Sequence, residues 1–418
     1  MLFIGYKICS MRIILLIVFL AIIHPLKAGD ADKGFRFNRP RNNVSIPIEV
    51  RNNLAVMPVY INDRGPFYFI LDTGVKTTIL IEPMIAHLLD LNITETIVIY
   101  GLGGEGIVNA ALATNVTISM PGITGKNKNL IVIPEDILNF SEVFGFPVYG
   151  IIGYDFFKHF PVEINYPRQI MTVYQSPEMY RIRRRSTVVP FRLVDGKPYV
   201  ETTIHGQNGS NLTTYLLFDL GASHPIYLNR EYITLSDQTI RGFLGKGISG
   251  NLMGQMGRID SISMGGLSVD GPVVAYPDDR FLTFYGHMIN WEGIIGGGII
   301  KRFNVIIDYA SQQLVMSRSH FHSEPFSTSL SGIEVIASGP NLRNFKIHYV
   351  RPGSAGYEAG VIPGDRIIEL NSKTHQDLSL DDILDELSGK EGDYIFLTVL
   401  RGNDLIKTRF RLREDLWL

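Results

Sequence analysis

The chain has almost no cysteine: its 418 residues include one, Cys9. That excludes an internal disulfide, a CxxC redox motif and a cysteine-ligated metal site. No His-x-x-x-His pair and no Gly-x-Ser-x-Gly occurs, so the helical zinc-hydrolase and nucleophile-elbow signatures are missing as well. Charge of one sign is scarce in blocks. The net charge is −2, and the one cluster is Arg181 with Arg183, Arg184 and Arg185, which reads as a solvated linker. A nucleic-acid partner, which would call for a basic face, is not expected. Long apolar runs are missing too. The one uncharged stretch, Ile13 to Ile23, is too short for a comfortable bilayer crossing.

That stretch comes after Lys7 and Arg12 and precedes "HPLKAGD", a positive start, a short apolar core and a small residue before a cut. The expectation is a signal peptide over 1–28 on an exported protein, periplasmic, cell-surface or secreted; an uncleaved anchor is the alternative. After signal removal no transmembrane span remains, and with Cys9 gone the chain has no thiol nucleophile. The 41 glycines and 21 prolines are spread between Val-, Ile-, Tyr- and Phe-rich runs, a mainly β pattern long enough for two or three domains.

The chain repeats itself. "YFILDTGVKTTIL" (68–80) aligns with "YLLFDLGASHPIYL" (215–228), placing Asp72 on Asp219, Gly74 on Gly221 and Val75 on Ala222. "GIIGYDFFKHFPVEINYPRQIMTVY" (150–174) aligns with "GIIGGGIIKRFNVIIDYASQQLVMS" (293–317). Asp72 to Gly153 is 81 residues and Asp219 to Gly296 is 77, so order and spacing agree. Between the members of each copy lies a glycine-rich stretch, "IYGLGGEGIV" (99–108) and "GFLGKGISGNLMG" (242–254), where a hairpin tip can bend over a ligand.

A duplicated β unit with an apolar-Asp-x-Gly turn, a glycine-rich hairpin and a later Ile-Ile-Gly resembles the two-lobed aspartic proteases, over about residues 44–320. The resemblance implies two pseudo-symmetric β-barrel-like lobes, 44–178 and 186–320. Each gives one aspartate of a catalytic pair, Asp72 and Asp219. Thr73, Gly74, Gly221, Gly153 and Gly296 support the active-site loops. Gly101, Gly103 and Gly104 form one flap, and Gly245 and Gly247 the other.

Such a pair suits peptide hydrolysis without cofactor or metal. Adjacent carboxylates share one proton; the charged member activates water and the neutral one stabilises the oxyanion. Two departures stand out. Leu220 replaces the hydroxyl residue that, in the family, ties the loops together. Thr73 retains that capacity, but Leu220 cannot reciprocate, and a binding scaffold with degenerate lobes is the alternative reading. Val75 and Ala222 replace a hydroxyl near the outer carboxylate oxygens, which implies a less acidic pair. Lys76, His224 and His87 are more readily explained as solvent-facing, turn and helix residues than as chemistry.

The polar stretch "SRSHFHSEPFSTS" (317–329) marks a boundary to a third unit, 328–418. "VRPGSAGYEAGVIPGDRIIEL" (350–370) resembles a PDZ domain, a small α+β fold. Ala355 and Ala359 would bracket a short helix ended by Gly360, with Gly364 and Asp365 turning the chain into the next strand. By that resemblance the peptide-binding loop lies at Leu330, Ser331, Gly332 and Ile333, without a clean Gly-Leu-Gly-Phe match. The expected partners are a polypeptide substrate and a C-terminal peptide at the PDZ-like domain.

Overall fold

A computed structural model describes residues 34–100, 107–133, 139–247, 250–278, 292–326 and 328–416. The chain is mostly β. The signal segment, Cys9 and the flap residues Gly101, Gly103 and Gly104 lie outside the described residues.

Each copy of the repeat builds the same core motif. In the first, the hairpin Leu54–Ile61/Arg64–Leu71 ends at Asp72, and the strand Gly150–Ile152 lies parallel to Arg64–Leu71 (Ile152 opposite Leu71) and antiparallel to Ile79–Leu80. In the second, Lys197–His205/Asn211–Phe218 ends at Asp219, and Gly293–Ile295 lies parallel to Asn211–Phe218 and antiparallel to Ile226–Leu228. The short strands are buried on both faces, which is why they read as apolar runs without polar alternation, Gly-Ile-Ile in both halves, Ile-Leu and Ile-Tyr-Leu.

The halves are not self-contained, a feature that two independent lobes would lack. Val162–Asn165 pairs antiparallel with Phe303–Asp308, Val162 opposite Ile307 and Ile164 opposite Val305. Ile170–Tyr174 then takes Asn43–Pro47, and Gln313–Arg318 takes Thr187–Val194. The duplicated segments thus pair with each other across a pseudo-twofold axis, flanked by Asn43–Pro47 on one side and by Thr187–Val194, which runs on to pair with Lys197–His205, on the other. The physical reason is the alternating burial of Val162 and Ile164 against Val305 and Ile307, all inaccessible to solvent: an apolar face that neither half covers alone. Arg181 and Arg183 to Arg185 are exposed on the connection, as expected of a linker.

The tail is a separate sheet of strands Ile333–Ser338, Asn344–Val350, Arg366–Leu370, Tyr394–Arg401 and Asp404–Arg411, with Leu380–Leu387 packed on it. Ser379 and Asp382 close a capping box on that helix. Ser354 caps the short helix Ala355–Glu358, Gly360 follows at φ 78°, and Asp365 is buried in a bidentate pair with Arg401 at 2.8 Å.

This domain is fastened to the rest. The buried Arg258 guanidinium, in the second half, donates to the carbonyls of Gly271 (3.1 Å), Phe326 (3.0 Å) and Leu416 (3.3 Å) and pairs with Glu414 (3.3 Å). Arg51 pairs with Asp381 at the start of the tail-domain helix, and Phe243 stacks edge-on against His348 at 5.3 Å. Arg258→Ala strips four acceptors of one buried cation. It is expected to lower stability by about 3–5 kcal/mol and to admit proteolysis near residues 326–332, read by urea titration and limited digestion.

Candidate active site

The two aspartates meet where the halves touch. Asp72 N–H donates to Ile152 O (3.0 Å) and Asp219 N–H to Ile295 O (2.9 Å), so the equivalent strand holds each loop. Gly74 N–H donates to Asp72 Oδ1 at 2.7 Å, and Gly221 N–H to Asp219 Oδ1 at 2.8 Å. A Cβ at Gly74 would stand 3.1 Å from Asp219 Oδ2 and 3.2 Å from Asp72 Oδ1, and one at Gly221 would collide with the Asp72 carboxyl. Each glycine therefore lies against the opposite aspartate, and only hydrogen there leaves room for both carboxyls.

Both groups are buried, Asp72 to 3% and Asp219 to 1% exposure. Burial first, then the charge of Asp219 and a hydrogen bond with it, drives the Asp72 carboxyl well above the ordinary carboxylate range. Burial also raises Asp219, opposed chiefly by Gly221 N–H and the bond from Asp72. Asp219 Oδ2 makes no well-formed hydrogen bond among the described residues, and a proton on Asp72 would supply one. Both carboxyls are thus held above the ordinary carboxylate range, and the charge of one opposes ionisation of the other.

Thr73 fastens the loops from one side. Its hydroxyl donates to Phe218 O at 2.6 Å and accepts from Leu220 N–H at 3.1 Å. Leu220 returns nothing polar; its side chain is fully buried in the main apolar cluster. The grip is half hydrogen-bonded and half hydrophobic.

Gly153 and Gly296 close the loops from behind. A Cβ at Gly153 would collide with Val75 O, and one at Gly296 with His224 O. The next N–H groups use the room: Tyr154 N–H donates to Val75 O (2.8 Å) and Gly297 N–H to Ala222 O (2.6 Å). Val75 and Ala222 are buried beside the carboxyls, as their apolar character suggests.

A cavity of about 760 Å³ opens at Asp72 and the loop that carries Asp219. Asp72 and Gly221 lie in its floor, Leu54 and Ile70 in one wall, and Gly245 and Gly247 in its cover. The covering hairpin is Thr239–Gly247/Gly250–Arg258, with a bulge between Phe243 and Gly245 and Tyr227 Oη donating to Leu244 O at 3.1 Å. In the first half, Ile93–Tyr100 pairs antiparallel with Ile107–Met120, and the residues between them lie outside the described residues. His224 lines the cavity, stacked edge-on against Tyr227 at 5.3 Å, and burial depresses its basicity. Lys76 is half-exposed and paired with Asp195 at 2.6 Å; His87 lies on an exposed helix away from the pair.

Sequence reasoning missed two contributions. The tail domain walls the same cavity with Ile333 and Val335 from its first strand and Leu384 and Leu387 from its helix. The short helix Phe140–Phe144 of the first half lies along that strand, and Gly145 meets Leu380. In the expected peptide-binding loop two N–H groups are already taken, Gly332 by Ser329 O (3.1 Å) and Ile333 by Ser331 Oγ (3.2 Å), and Leu330 O accepts from Arg413 N–H (3.2 Å). The second is Lys197, fully buried on the strand that pairs with the one leading to Asp219, where the charges of Asp195, Asp219 and Asp72 act on it. No signal but strand register would have found it, since "VDGKPY" reads as an exposed hairpin.

Among the described residues no cluster of His, Cys, Asp and Glu is arranged to hold a metal ion, and no helix is long and apolar enough to cross a membrane. Residues 57–156 match a family model described as aspartyl protease, and residues 346–401 one described as PDZ domain. A search of curated proteins finds no match. Among solved structures, an aspartic proteinase from Irpex lacteus is similar at 12% identity and TM-score 0.45, over 68% of this chain and 99% of that one.

Replacing the paired loop glycine tests this packing. Gly296→Ala sets a methyl against backbone carbonyls on the His224 and Ala222 side. It is expected to destabilise the protein by about 1–3 kcal/mol, read as a lower thermal midpoint.

Proposed function

Starting from a chain that carries an aspartyl protease region and a PDZ domain, we propose that it is an exported aspartic endopeptidase in which Asp72 and Asp219 activate water. The observation that carries this reading is the meeting of two buried carboxyls, each hydrogen-bonded to its own loop glycine and pressed on the opposite one, under a covered cavity.

An extended peptide lies in the cavity with its scissile carbonyl over the pair. The Asp219 carboxylate takes a proton from water as the oxygen attacks the carbonyl carbon. The Asp72 carboxyl hydrogen-bonds the carbonyl oxygen and stabilises the oxyanion. The proton taken by Asp219 passes to the amide nitrogen, the C–N bond breaks, and the pair returns to one proton. The glycine hairpins exclude bulk water, and the proposed lobes, 44–178 and 186–320, each supply half of the floor.

The PDZ domain, proposed to span 328–418, tethers or gates the substrate through the cavity wall it contributes. With the N–H groups of Gly332 and Ile333 engaged, an internal extended segment suits it better than a terminal carboxylate. Export rests on the N-terminal pattern of residues 7–28.

The competing reading, a peptide-binding scaffold with inactive lobes, is favoured by Leu220. Against it stands the loop contact that Thr73 still makes and the closed packing of Leu220 itself.

Incubation of the purified chain with an unfolded protein or peptide library, with and without a statine-containing inhibitor, separates the two. Asp72→Asn and Asp219→Asn are each expected to lower kcat/KM by about 10²–10⁴-fold while the protein stays folded. Full turnover by either variant defeats the assignment. Asp72→Asn is also expected to be more stable than the parent at neutral pH. The native pair keeps a proton that the unfolded chain, with its carboxyls near 4, has lost. Native stability is therefore complete below the unfolded value and declines as pH rises through the elevated native one. Asparagine removes that loss, on the order of 1–3 kcal/mol at pH 7–8, read by thermal melts at pH 4 and pH 8.

Because both carboxyls are raised and lack hydroxyl donors at Val75 and Ala222, the rate is expected to peak at mildly acidic to neutral pH. A profile peaking at about pH 2–3, where a strongly depressed pair works, contradicts this.

A further inference from the structure

The pseudo-twofold axis makes each residue around the pair comparable with a partner in the other half. Val56 lies opposite Ile70, two residues before Asp72; Tyr199 lies opposite Leu217, two residues before Asp219. Two positions earlier on each strand, Leu54 corresponds to Lys197. The turns agree. Leu54 faces Arg51 across Asn52–Asn53, Lys197 faces Val194 across Asp195–Gly196, and all four turn residues have positive φ.

Both turns reach across to the other half. Asn53 Nδ2 donates to Ser223 O at 3.0 Å, next to the second aspartate loop. Asp195 holds Lys76 at 2.6 Å on the first loop, and Gly196 packs on the Tyr154 ring. Position for position, the surroundings match. The side chains do not: an apolar Leu54 stands at this position in the first half, and a buried Lys197 in the second.

We propose that Lys197 is a positioning residue whose ammonium holds the Asp72–Asp219 pair in its singly ionised state; this rests on the peptidase reading. The geometry behind it is the equivalence with Leu54, which lines the cavity with Asp72, and the burial of Lys197 at 2% exposure on a turn locked to the first loop. A buried lysine is retained as a cation only where negative charge answers it. The groups that act on it are Asp195 on its own hairpin, Asp219 and Asp72 on the two loops, and Lys76 in opposition. Tyr199, on the same strand, stays neutral, its phenol pushed up to about 12 by burial, Asp219 and Asp195. Burial pulls the Lys197 ammonium down to about 7, against the pull of the three carboxylates. In return it favours the charged form of Asp219.

One cation beside one anion lowers the net charge of the floor, so the pair loses its first proton at a lower pH than it would without the ammonium. A neighbouring cation lowers a carboxyl's pKa, and removing it raises the pKa.

The test is the acid limb of the kcat/KM profile in the full chain, on a peptide the parent cleaves, for Lys197→Met, Lys197→Leu and Lys197→Arg. Leucine is what the first half carries at this position, so that variant guards against misfolding; thermal melts check all three. The Met and Leu variants are expected to shift the limb to higher pH by about one unit, with near-parental rates above it, and Arg is expected to leave it in place. Inhibition by a statine-containing peptide is expected to shift in parallel. Limbs that coincide in parent, Met and Leu variants overturn the inference, as does a uniform loss at every pH or a shift by Arg equal to that by Met. A parent that neither cleaves nor binds the statine peptide overturns the peptidase reading and this inference together.

Discussion

Two carboxyl groups buried against each other admit one negative charge between them. That constraint orders everything around Asp72 and Asp219. It demands glycine at 221, where any side chain would strike the Asp72 carboxyl, favours it at 74, where a Cβ would crowd both carboxyls, and calls for backbone N–H groups aimed at the inner oxygens. It also demands rigid loops, because the shared proton is worth something only at hydrogen-bonding separation. Strands Gly150–Ile152 and Gly293–Ile295 provide the rigidity, and Gly153 and Gly296 let the following backbone close on the loops.

The same constraint explains how Leu220 is tolerated. The usual pair of hydroxyls ties two loops reciprocally; here Thr73 makes both available bonds to the opposite loop, and Leu220 contributes packing instead. In a chain whose halves share one sheet through Val162–Asn165 and Phe303–Asp308, the loops are held in register by many backbone bonds as well. A single polar contact at the axis then carries less of the load than it would between separate subunits.

Duplication made much of the site legible in the sequence. Asp72, Asp219, Gly153 and Gly296 are recognisable because each kind appears twice in the same order and at similar spacing, which chance does not readily produce. Similarity between 150–174 and 293–317 announced equivalent strands but not that they would pair with each other, since alignment carries no information on which edge is left open. Lys197 escaped notice because a lysine after Asp-Gly fits a solvated hairpin; its burial comes from the other half closing over it. The tail domain's place against the cavity left no trace either, for Ile333, Val335 and Leu387 serve as ordinary core positions in the pattern of their own fold.

The cavity draws its walls from three distant parts of the chain: the first half near residue 54, the second near 245, and the tail between 333 and 387. A polypeptide made from its N-terminus completes these in order, so both aspartates exist well before the last wall does. Until the tail has emerged and docked through Arg258 and Arg51, the nascent molecule holds its chemistry in an unfinished trough. The enclosed cavity is therefore completed later in biosynthesis than the two aspartate loops themselves.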